Sequence, residues 1–220
     1  LILNSPTNPT GGIMEEKDLR AIADIAVEKN LICISDEIYE YYLYDGKKHV
    51  SIASFNEEIK KRTFVVNGTS KSYSMTGLRI GYLAGDAEVV KKIGILQDHS
   101  TSNPTSISQK MAVAALALPK SYRANVRSIF EKRSKLMVDL LSKVKGFEPF
   151  VPQGAFYVFC DISKTKLSSD ELCNRLLEEI FVAAIPGKSF GSDKHVRFSF
   201  ATSEKYIEEG IGRVIKWMGD

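Results

Sequence analysis

Val65–Tyr82, with the sequence VVNGTSKSYSMTGLRIGY, joins an apolar, β-branched run to a loop of small and polar residues. The run is typical of a buried strand, because β-branched side chains favour strands and a strand covered on both faces is apolar throughout. The loop carries one lysine, Lys71, and an arginine, Arg79, follows eight residues later. The stretch therefore predicts a buried strand whose carboxyl end presents an amine and a guanidinium.

These two cationic side chains suit a particular chemistry. Burial and a neighbouring positive charge both favour the uncharged form of a lysine amine, which is the nucleophile that forms Schiff bases. An arginine guanidinium is permanently charged, and its planar set of N–H donors matches phosphate. A Schiff-base lysine beside a phosphate-binding arginine indicates pyridoxal phosphate, although most lysines in loops are simply solvated.

The composition is that of an ordinary globular protein. The 220 residues are 44% hydrophobic and 26% charged, with a formal net charge of +3. This length allows one large domain or two smaller ones. We expect no nucleic-acid partner, because no basic stripe with interleaved aromatic residues is present, and no membrane span, because no apolar run approaches about 20 residues. Cys33, Cys160 and Cys173 are widely spaced in apolar surroundings, which predicts reduced core residues and a cytoplasmic protein.

The order of the apolar patterns predicts two domains. Short apolar runs first alternate with stretches of helical period, the βαβ pattern of a largely parallel sheet. A long helix is then predicted from Pro119 to residue 145, before Gly146. Short strands and further helices follow, one of them opened by the capping box Ser168-x-x-Glu171. The predicted strands are 1–3, 31–35, 63–66, 80–84, 147–150, 155–160, 182–185 and 196–200, and the helices before the long one are 15–29, 86–96 and 106–118. We therefore expect an α/β domain over 1–118 and a smaller α+β domain over 119–220.

Polar residues follow three of the predicted strands. Asn8 lies in the loop after the first strand, and Lys71 follows the third. Asp36, Glu37 and Tyr39 follow the second strand. Ligands of open α/β sheets bind beyond the carboxyl ends of the strands. Together these residues favour a ligand site more strongly than any single motif does.

Five sequence blocks carry a family resemblance. They are NSPTNPTGG (4–12), SDEIYEYYLYDG (35–46), NGTSKSYSMTGLRIGYLAG (67–85), PQGAFYVF (152–159) and VRFSFATS (196–203). With these blocks the chain resembles the class I aminotransferases of the fold type I pyridoxal-phosphate superfamily, in particular the aspartate aminotransferase-like subgroup. The resemblance covers the whole chain but corresponds to the C-terminal part of such an enzyme. It implies a large cofactor-binding domain whose N-terminal part is missing, plus a small C-terminal domain.

The resemblance implies roles around the cofactor ring for four residues. Lys71 matches the lysine that forms the Schiff base with the cofactor and later moves the proton of the substrate Cα. Asp36 matches the aspartate that pairs with the pyridine nitrogen, a charge-assisted bond worth roughly 1.5–3 kcal/mol. Tyr39 and Asn8 match the pair that bonds the 3-hydroxyl oxygen.

It also implies two anion-binding arginines. Arg79 matches the arginine that binds the cofactor phosphate, with Ser70 as a neighbouring donor. Arg197 matches the arginine that binds the substrate α-carboxylate in a bidentate pair, and Asn8 is expected to bind substrate as well. Gly68 departs from the pattern, since some relatives carry a phosphate-binding serine there.

Each of these residues also has an ordinary structural interpretation. Asp36 could cap a helix, and Asn8 before a proline could form a plain turn. Tyr39 could be half-buried packing, and Lys71 and Arg197 could be solvated surface cations. The joint occurrence of the five blocks favours the cofactor-binding interpretation.

Two other kinds of site are disfavoured. Gly187-Lys188-Ser189 resembles the end of a P-loop, but the required first glycine falls at Val182, inside an apolar run. His49, His99 and His195 are isolated and supply no metal-ligand spacing, so no metal site is predicted.

The resemblance implies an aminotransferase that works by a ping-pong route. It would move an amino group from an amino acid, with aspartate favoured, to a 2-oxo acid such as 2-oxoglutarate. A C–S β-lyase or synthase on the same fold stays open, as does the sensor domain of a transcription regulator. The active sites of the family lie between two subunits, so a homodimer is expected. A chain without the phosphate-binding segment could be inactive by itself.

Overall fold

The computed structural model describes residues 1–219, which divide into two compact units. The first unit contains Leu1–Pro6 and Ile13–Val126, and the second contains Thr7–Gly12 and the chain from Arg127 onward. The loop at residues 7–12 therefore belongs with the second unit, although it follows the first strand of the first unit. The domain boundary at residues 118/119 stays a prediction.

The first unit is built on one mixed, mostly parallel sheet. Its strands, in the spatial order β1-β2-β3-β4, are β1 (Ile2–Asn4), β2 (Cys33–Asp36), β3 (Thr63–Gly68) and β4 (Gly81–Ala84). Its helices are α1 (Glu16–Glu28), α2 (Glu57–Arg62), α3 (Ala87–Ser100), α4 (Ser106–Leu116) and the first turns of α5 (Lys120–Leu141). The predicted α/β class is confirmed.

The carboxyl ends of the three parallel strands lie at one edge of this sheet. In the register, Asn4 pairs with Asp36, and Asp36 pairs with Val66. The turn after Asp36 and the loop after β3 therefore begin side by side, as the strand order requires.

β4 runs antiparallel to β3, with Gly68 opposite Gly81. A parallel return would need a crossover long enough for a helix. The connection, residues 69–80, holds only a short 3₁₀ turn at Thr76–Leu78, so the chain turns back beside β3.

A compact core covers one face of β1 and β2. The α1 residues Leu19, Ala23 and Ala26 are buried there at helical spacing, against Leu3 and Cys33. This periodicity is the one that predicted the helix. The first and last residues of α1 lie within one position of the predicted ones.

The long helix α5 begins where Pro119 predicts but ends four residues early, at Leu141. Residues 142–145 continue as turns, and Gly146 adopts a left-handed conformation (φ +85°). The glycine thus ends these turns, and the helix itself is shorter than predicted.

The second unit is an antiparallel sheet with two helices. Its strands, in the spatial order β5-β6-β8-β7, are β5 (Glu148–Pro149), β6 (Tyr157–Asp161), β7 (Ile185–Pro186) and β8 (His195–Ser199). The helices of its own are α6 (Ser169–Ile180) and α7 (Glu204–Gly219). The Ser168 side chain accepts a hydrogen bond from the Glu171 N–H (3.2 Å), so the predicted cap of α6 is confirmed.

Apolar side chains from both helices and from β6 and β8 form the core of this unit. Fully buried members include Val158, Leu172, Leu176, Val196, Phe200, Ile207 and Val214. Cys160 and Cys173 are also buried, and burial raises the pKa of each thiol to about 12. Within residues 1–219, no helix has both the length and the apolar character that a membrane crossing requires.

Candidate active site

Asp36 ends β2 at the carboxyl edge of the first sheet. One carboxylate oxygen accepts a hydrogen bond from the Ile38 N–H (3.1 Å), and a turn follows in place of a helix. Asp36 therefore caps a turn, which is close to its ordinary structural interpretation. Its second oxygen has no hydrogen-bond partner in the described part of the chain, so it can accept a hydrogen bond from a ligand.

The next residue, Glu37, connects the end of β2 to another segment of the first unit through its buried carboxylate. Its carboxylate is 6% exposed and accepts hydrogen bonds from Ser35 Oγ (2.9 Å), Ser51 Oγ (2.6 Å) and His49 Nε2 (2.8 Å). Burial by itself raises the pKa of Glu37, but the bonds from His49, Ser51 and Ser35 outweigh it and lower the pKa. The sequence places Glu37 among the polar residues after this strand but gives no sign of its burial, because two of its three partners, His49 and Ser51, come from another segment.

His49 is isolated in the sequence but not in the fold. Ligand-type atoms of Glu37, Glu40 and His49 lie within 4.8 Å of one another. The Glu40 carboxylate accepts a bond from Asn67 Nδ2 (2.9 Å), and burial raises the pKa of Glu40. Hydrogen bonding thus accounts for the whole cluster, and the absence of a metal site stays a prediction.

Lys71 lies on a hydrogen-bonded turn directly after β3. The N–H groups of Tyr73, Ser74 and Met75 bond the carbonyls of Thr69, Lys71 and Ser70, at 3.0–3.2 Å. The hydroxyl of Tyr42 also donates to the Lys71 carbonyl (2.7 Å). This bond ties the Lys71 turn to the segment after Asp36, on which Tyr39 is 95% buried.

The close approach of β4 explains why a glycine stands at position 68. A Cβ at this position would lie 3.1 Å from both Gly81 Cα and the Ile80 carbonyl oxygen. The two facing glycines let β3 and β4 approach closely, so a serine at 68 would require the strands to separate by a few tenths of an ångström.

Arg79 is exposed and adopts a left-handed backbone conformation (φ +49°). Its Nη1 donates to the Thr76 carbonyl (2.8 Å). It lines a cavity of about 600 Å³ whose polar wall also includes Gln97, Asn103 and Ser108. The guanidinium therefore keeps most of its donors available to an anion.

In the second unit, Arg197 and Asn8 meet. Arg197 Nη1 donates to Asn8 Oδ1 at 2.6 Å. The guanidinium lies over the rings of Tyr157 (4.3 Å) and Phe190 (5.0 Å), and its Nε is buried with no hydrogen-bond partner among residues 1–219. A cation held by aromatic faces, with unused donors, suits a planar anion such as a carboxylate.

The predicted site residues thus fall into two groups. Asp36, Tyr39, Ser70, Lys71 and Arg79 lie in the first unit. Asn8 and Arg197 lie in the second.

The chain is similar to proteins of known name. It is 46% identical to the aspartate aminotransferase of Bacillus sp. (strain YM-2), over 99% of this chain and 57% of that protein. It is 46% identical to the probable aspartate/prephenate aminotransferase of Aquifex aeolicus (strain VF5), over 98% of this chain and 56% of that protein. The chain therefore spans less than two thirds of the length of these relatives.

Solved structures agree with these similarities. The aromatic aminotransferase of Pyrococcus horikoshii OT3 superposes with a TM-score of 0.93 at 38% identity, over 100% of this chain and 59% of that one. The aspartate aminotransferase of Rhizobium meliloti gives 0.92 at 35% identity, over 98% of this chain and 56% of that one. The family model for aminotransferases of class I and II matches residues 1–214, so the chain belongs to that family.

Proposed function

We propose that the natural protein carrying this chain is a pyridoxal-phosphate-dependent aminotransferase. It transfers the amino group of an amino acid, with aspartate favoured, to a 2-oxo acid such as 2-oxoglutarate. The observation that carries the proposal is the placement of Lys71 on a fixed turn after β3, next to the end of β2 that bears Asp36. The names of the relatives support aspartate as the donor.

The residues fit pyridoxal phosphate by the chemistry of their functional groups. Lys71 supplies an amine for its aldehyde carbon, Asp36 a carboxylate for its pyridine nitrogen, and Arg79 a guanidinium for its phosphate, with Ser70 as a further donor. Tyr39 and Asn8 are proposed to bond its 3-hydroxyl oxygen. When bound, this cofactor supplies an electron sink for the negative charge that develops at the substrate Cα.

Lys71 is proposed to hold and move the proton at that Cα. The backbone bonds of the turn and the bond from Tyr42 fix the Lys71 main chain, so they set the point from which its flexible side chain reaches the reacting carbon. Asp36 accepts a hydrogen bond from the protonated pyridine nitrogen through the carboxylate oxygen that has no partner in residues 1–219.

Arg197 and Asn8 are proposed to bind the substrate α-carboxylate. The two aromatic faces orient the guanidinium, and its unused donors form the bidentate pair. Because the same side chains serve the amino acid and the 2-oxo acid, one subsite supports both halves of a ping-pong reaction. We also propose that the protein acts as a homodimer, which the family resemblance implies.

The direct test is to locate the cofactor on the chain. The natural protein is incubated with pyridoxal phosphate, reduced with borohydride, digested and analysed by mass spectrometry. We expect the label on the peptide that contains Lys71. Lys71→Ala should lose the label and lower the transamination rate by about 10⁴-fold or more, since it removes both the covalent site and the proton carrier.

Lys110→Ala is the matched control, because Lys110 is an exposed helical lysine. It should keep both the label and the rate. Label that persists in Lys71→Ala would refute the central assignment. Glutamate formed in step with oxaloacetate supports amino transfer from aspartate, whereas ammonia and pyruvate released without glutamate would favour a lyase.

A further inference from the structure

The loop at residues 7–12 docks on the turn before β6. The Gly11 carbonyl accepts hydrogen bonds from the N–H groups of both Gln153 and Gly154, each at 2.8 Å. The loop is also closed internally, by Thr7 N–H to the Gly12 carbonyl and Gly11 N–H to the Thr7 carbonyl, again at 2.8 Å. Backbone hydrogen bonds therefore hold this loop against the 152–154 turn.

Only glycine fits at position 11. A Cβ there would lie 2.4 Å from Pro152 Cβ and 2.8 Å from the Gly154 carbonyl oxygen, and φ is +68°. Gly12 differs from it: its Cβ would meet only the Thr10 hydroxyl, at 3.2 Å. The contact of the loop with the turn is thus made at Gly11.

The same docking brings together the groups around Arg197. Asn8 lies in the docked loop and receives the one hydrogen bond that the Arg197 guanidinium makes within residues 1–219. Two residues separate the 152–154 turn from β6, which begins with Tyr157, whose ring lies against the guanidinium at 4.3 Å. Gly11 therefore joins the segment that carries Asn8 to the segment that carries Tyr157.

We propose that Gly11 is a positioning residue for a carboxylate subsite that is already assembled before substrate binds. The subsite consists of Arg197, Asn8 and Tyr157, and the Gly11–Gly154 contact holds Asn8 in place. This inference rests on the proposed function. Preassembly matters because a binding group displaced by about 1 Å can cost roughly 100-fold in rate.

The test compares Gly11→Ala with the matched control Gly12→Ala in the natural protein. Gly11→Ala should raise KM for the amino acid and for the 2-oxo acid, with kcat/KM lower by roughly 100-fold. Borohydride should still fix pyridoxal phosphate on Lys71, because the covalent bond needs the Lys71 amine and not the contact that Asn8 makes with the 3-hydroxyl oxygen. Gly12→Ala should keep KM and kcat/KM within about twofold of the unmodified protein, because its one tight contact, at 3.2 Å, is with the Thr10 side-chain hydroxyl and not with the 152–154 segment.

Gly11→Asn separates the two constraints at this position. Asparagine tolerates a left-handed backbone better than alanine, but its Cβ meets the same atoms. We therefore expect Gly11→Asn to be as impaired as Gly11→Ala. A clear recovery with asparagine would show that backbone conformation decides the effect, and would overturn a role for the docking contact.

Further outcomes decide the inference. A folded Gly11→Ala variant with unchanged KM overturns the inference. A folded Gly11→Ala variant that loses covalent cofactor attachment together with carboxylate binding also overturns it. If Gly11→Ala does not fold, Pro152→Gly loosens the contact from the other side and should raise KM by less, in the same direction. Unchanged KM in that variant overturns the inference.

Succinate, a dicarboxylate that cannot react, separates this inference from the proposed function. Its affinity is measured by titration calorimetry without cofactor. Failure of the unmodified protein to attach pyridoxal phosphate would refute the proposed function only. Succinate binding that Gly11→Ala weakens supports the subsite in either case. Equal affinity in both proteins, or no binding by the unmodified protein, overturns it.

Discussion

The Lys71 segment and the Asn8–Arg197 pair assemble their groups in opposite ways. Lys71 and Arg79 are eight residues apart in one loop, whereas the bond between Arg197 and Asn8 joins positions 189 residues apart. The first arrangement is local and follows from one strand and its loop. The second exists only when the second unit is folded.

The two arginines show the same contrast. Arg79 is exposed, and its side chain bonds one neighbouring carbonyl, so its position depends on the backbone of its own loop. Arg197 lies in a strand, between two aromatic rings and an amide. Substitutions at the two positions should therefore affect different steps.

The largest effect distinguishes these arginines. Arg197→Leu should lower kcat/KM by about 10²–10⁴-fold, since it removes two hydrogen bonds to a charged group worth roughly 1.5–3 kcal/mol each. Pyridoxal phosphate should still attach to Lys71. Arg79→Leu is the comparison variant and should weaken cofactor affinity first. Equilibrium dialysis of the cofactor and steady-state kinetics measure the two effects.

A cofactor affinity that falls equally in both variants would contradict this division of roles. Arg197→Lys gives a finer test. A lysine keeps the charge but lacks the planar fork, so it should recover only part of the lost kcat/KM. Full recovery would mean that the carboxylate is held by charge alone.

A smaller effect is expected at Glu37, the residue after Asp36. Glu37→Gln should lower the free energy of unfolding by about 2 kcal/mol, because amide N–H groups replace an acceptor that three buried donors need. Chemical denaturation measures the change. Glu57→Gln, at an exposed ion pair with Lys60, is the control and should change stability by about 0.5 kcal/mol or less.

The same carboxylate predicts a pH dependence. The folded pKa of Glu37 is lower than its ordinary value of 4.5, so the stabilisation is fully present above pH 4.5. It is lost as the pH falls through the folded pKa. The unmodified protein should therefore lose more stability below pH 4.5 than Glu37→Gln does. Parallel stability curves for the two proteins in that range would rule out an ionised Glu37.

The smallest effect lies in the second unit. Ser168→Ala removes the cap of α6 and should lower the stability of this unit by about 1 kcal/mol. Ser168→Thr keeps the acceptor and serves as the control. The cofactor affinity should be unchanged in both variants, because Ser168 is not among the residues proposed to bind the cofactor. A loss of cofactor binding in Ser168→Ala would contradict a purely local role of this cap.

The features that depend on neighbouring residues in the sequence were the predictable part of the molecule. The strands, the capping box and the positions of Asp36 and Lys71 after strands follow from short-range patterns. The functional roles come from the family resemblance. The hydrogen bond between Arg197 and Asn8 is seen only in the structure, since no pattern within a few residues can pair such distant positions. The burial of Glu37 was not predicted, because two of its three donors, His49 and Ser51, come from a separate segment. The direction of β4 was not predicted either, because it depends on the helix-free connection.

The assignment of residues 7–12 to the second unit has a consequence for recombination. A single cut within α5 would leave the Gly11 carbonyl on one piece and both of its amide donors on the other. The second unit is therefore not a module that one crossover can exchange. A chimera that takes this unit from a relative has to take residues 7–12 from the same parent, or the transplanted Arg197 will meet a loop that evolved against a different turn.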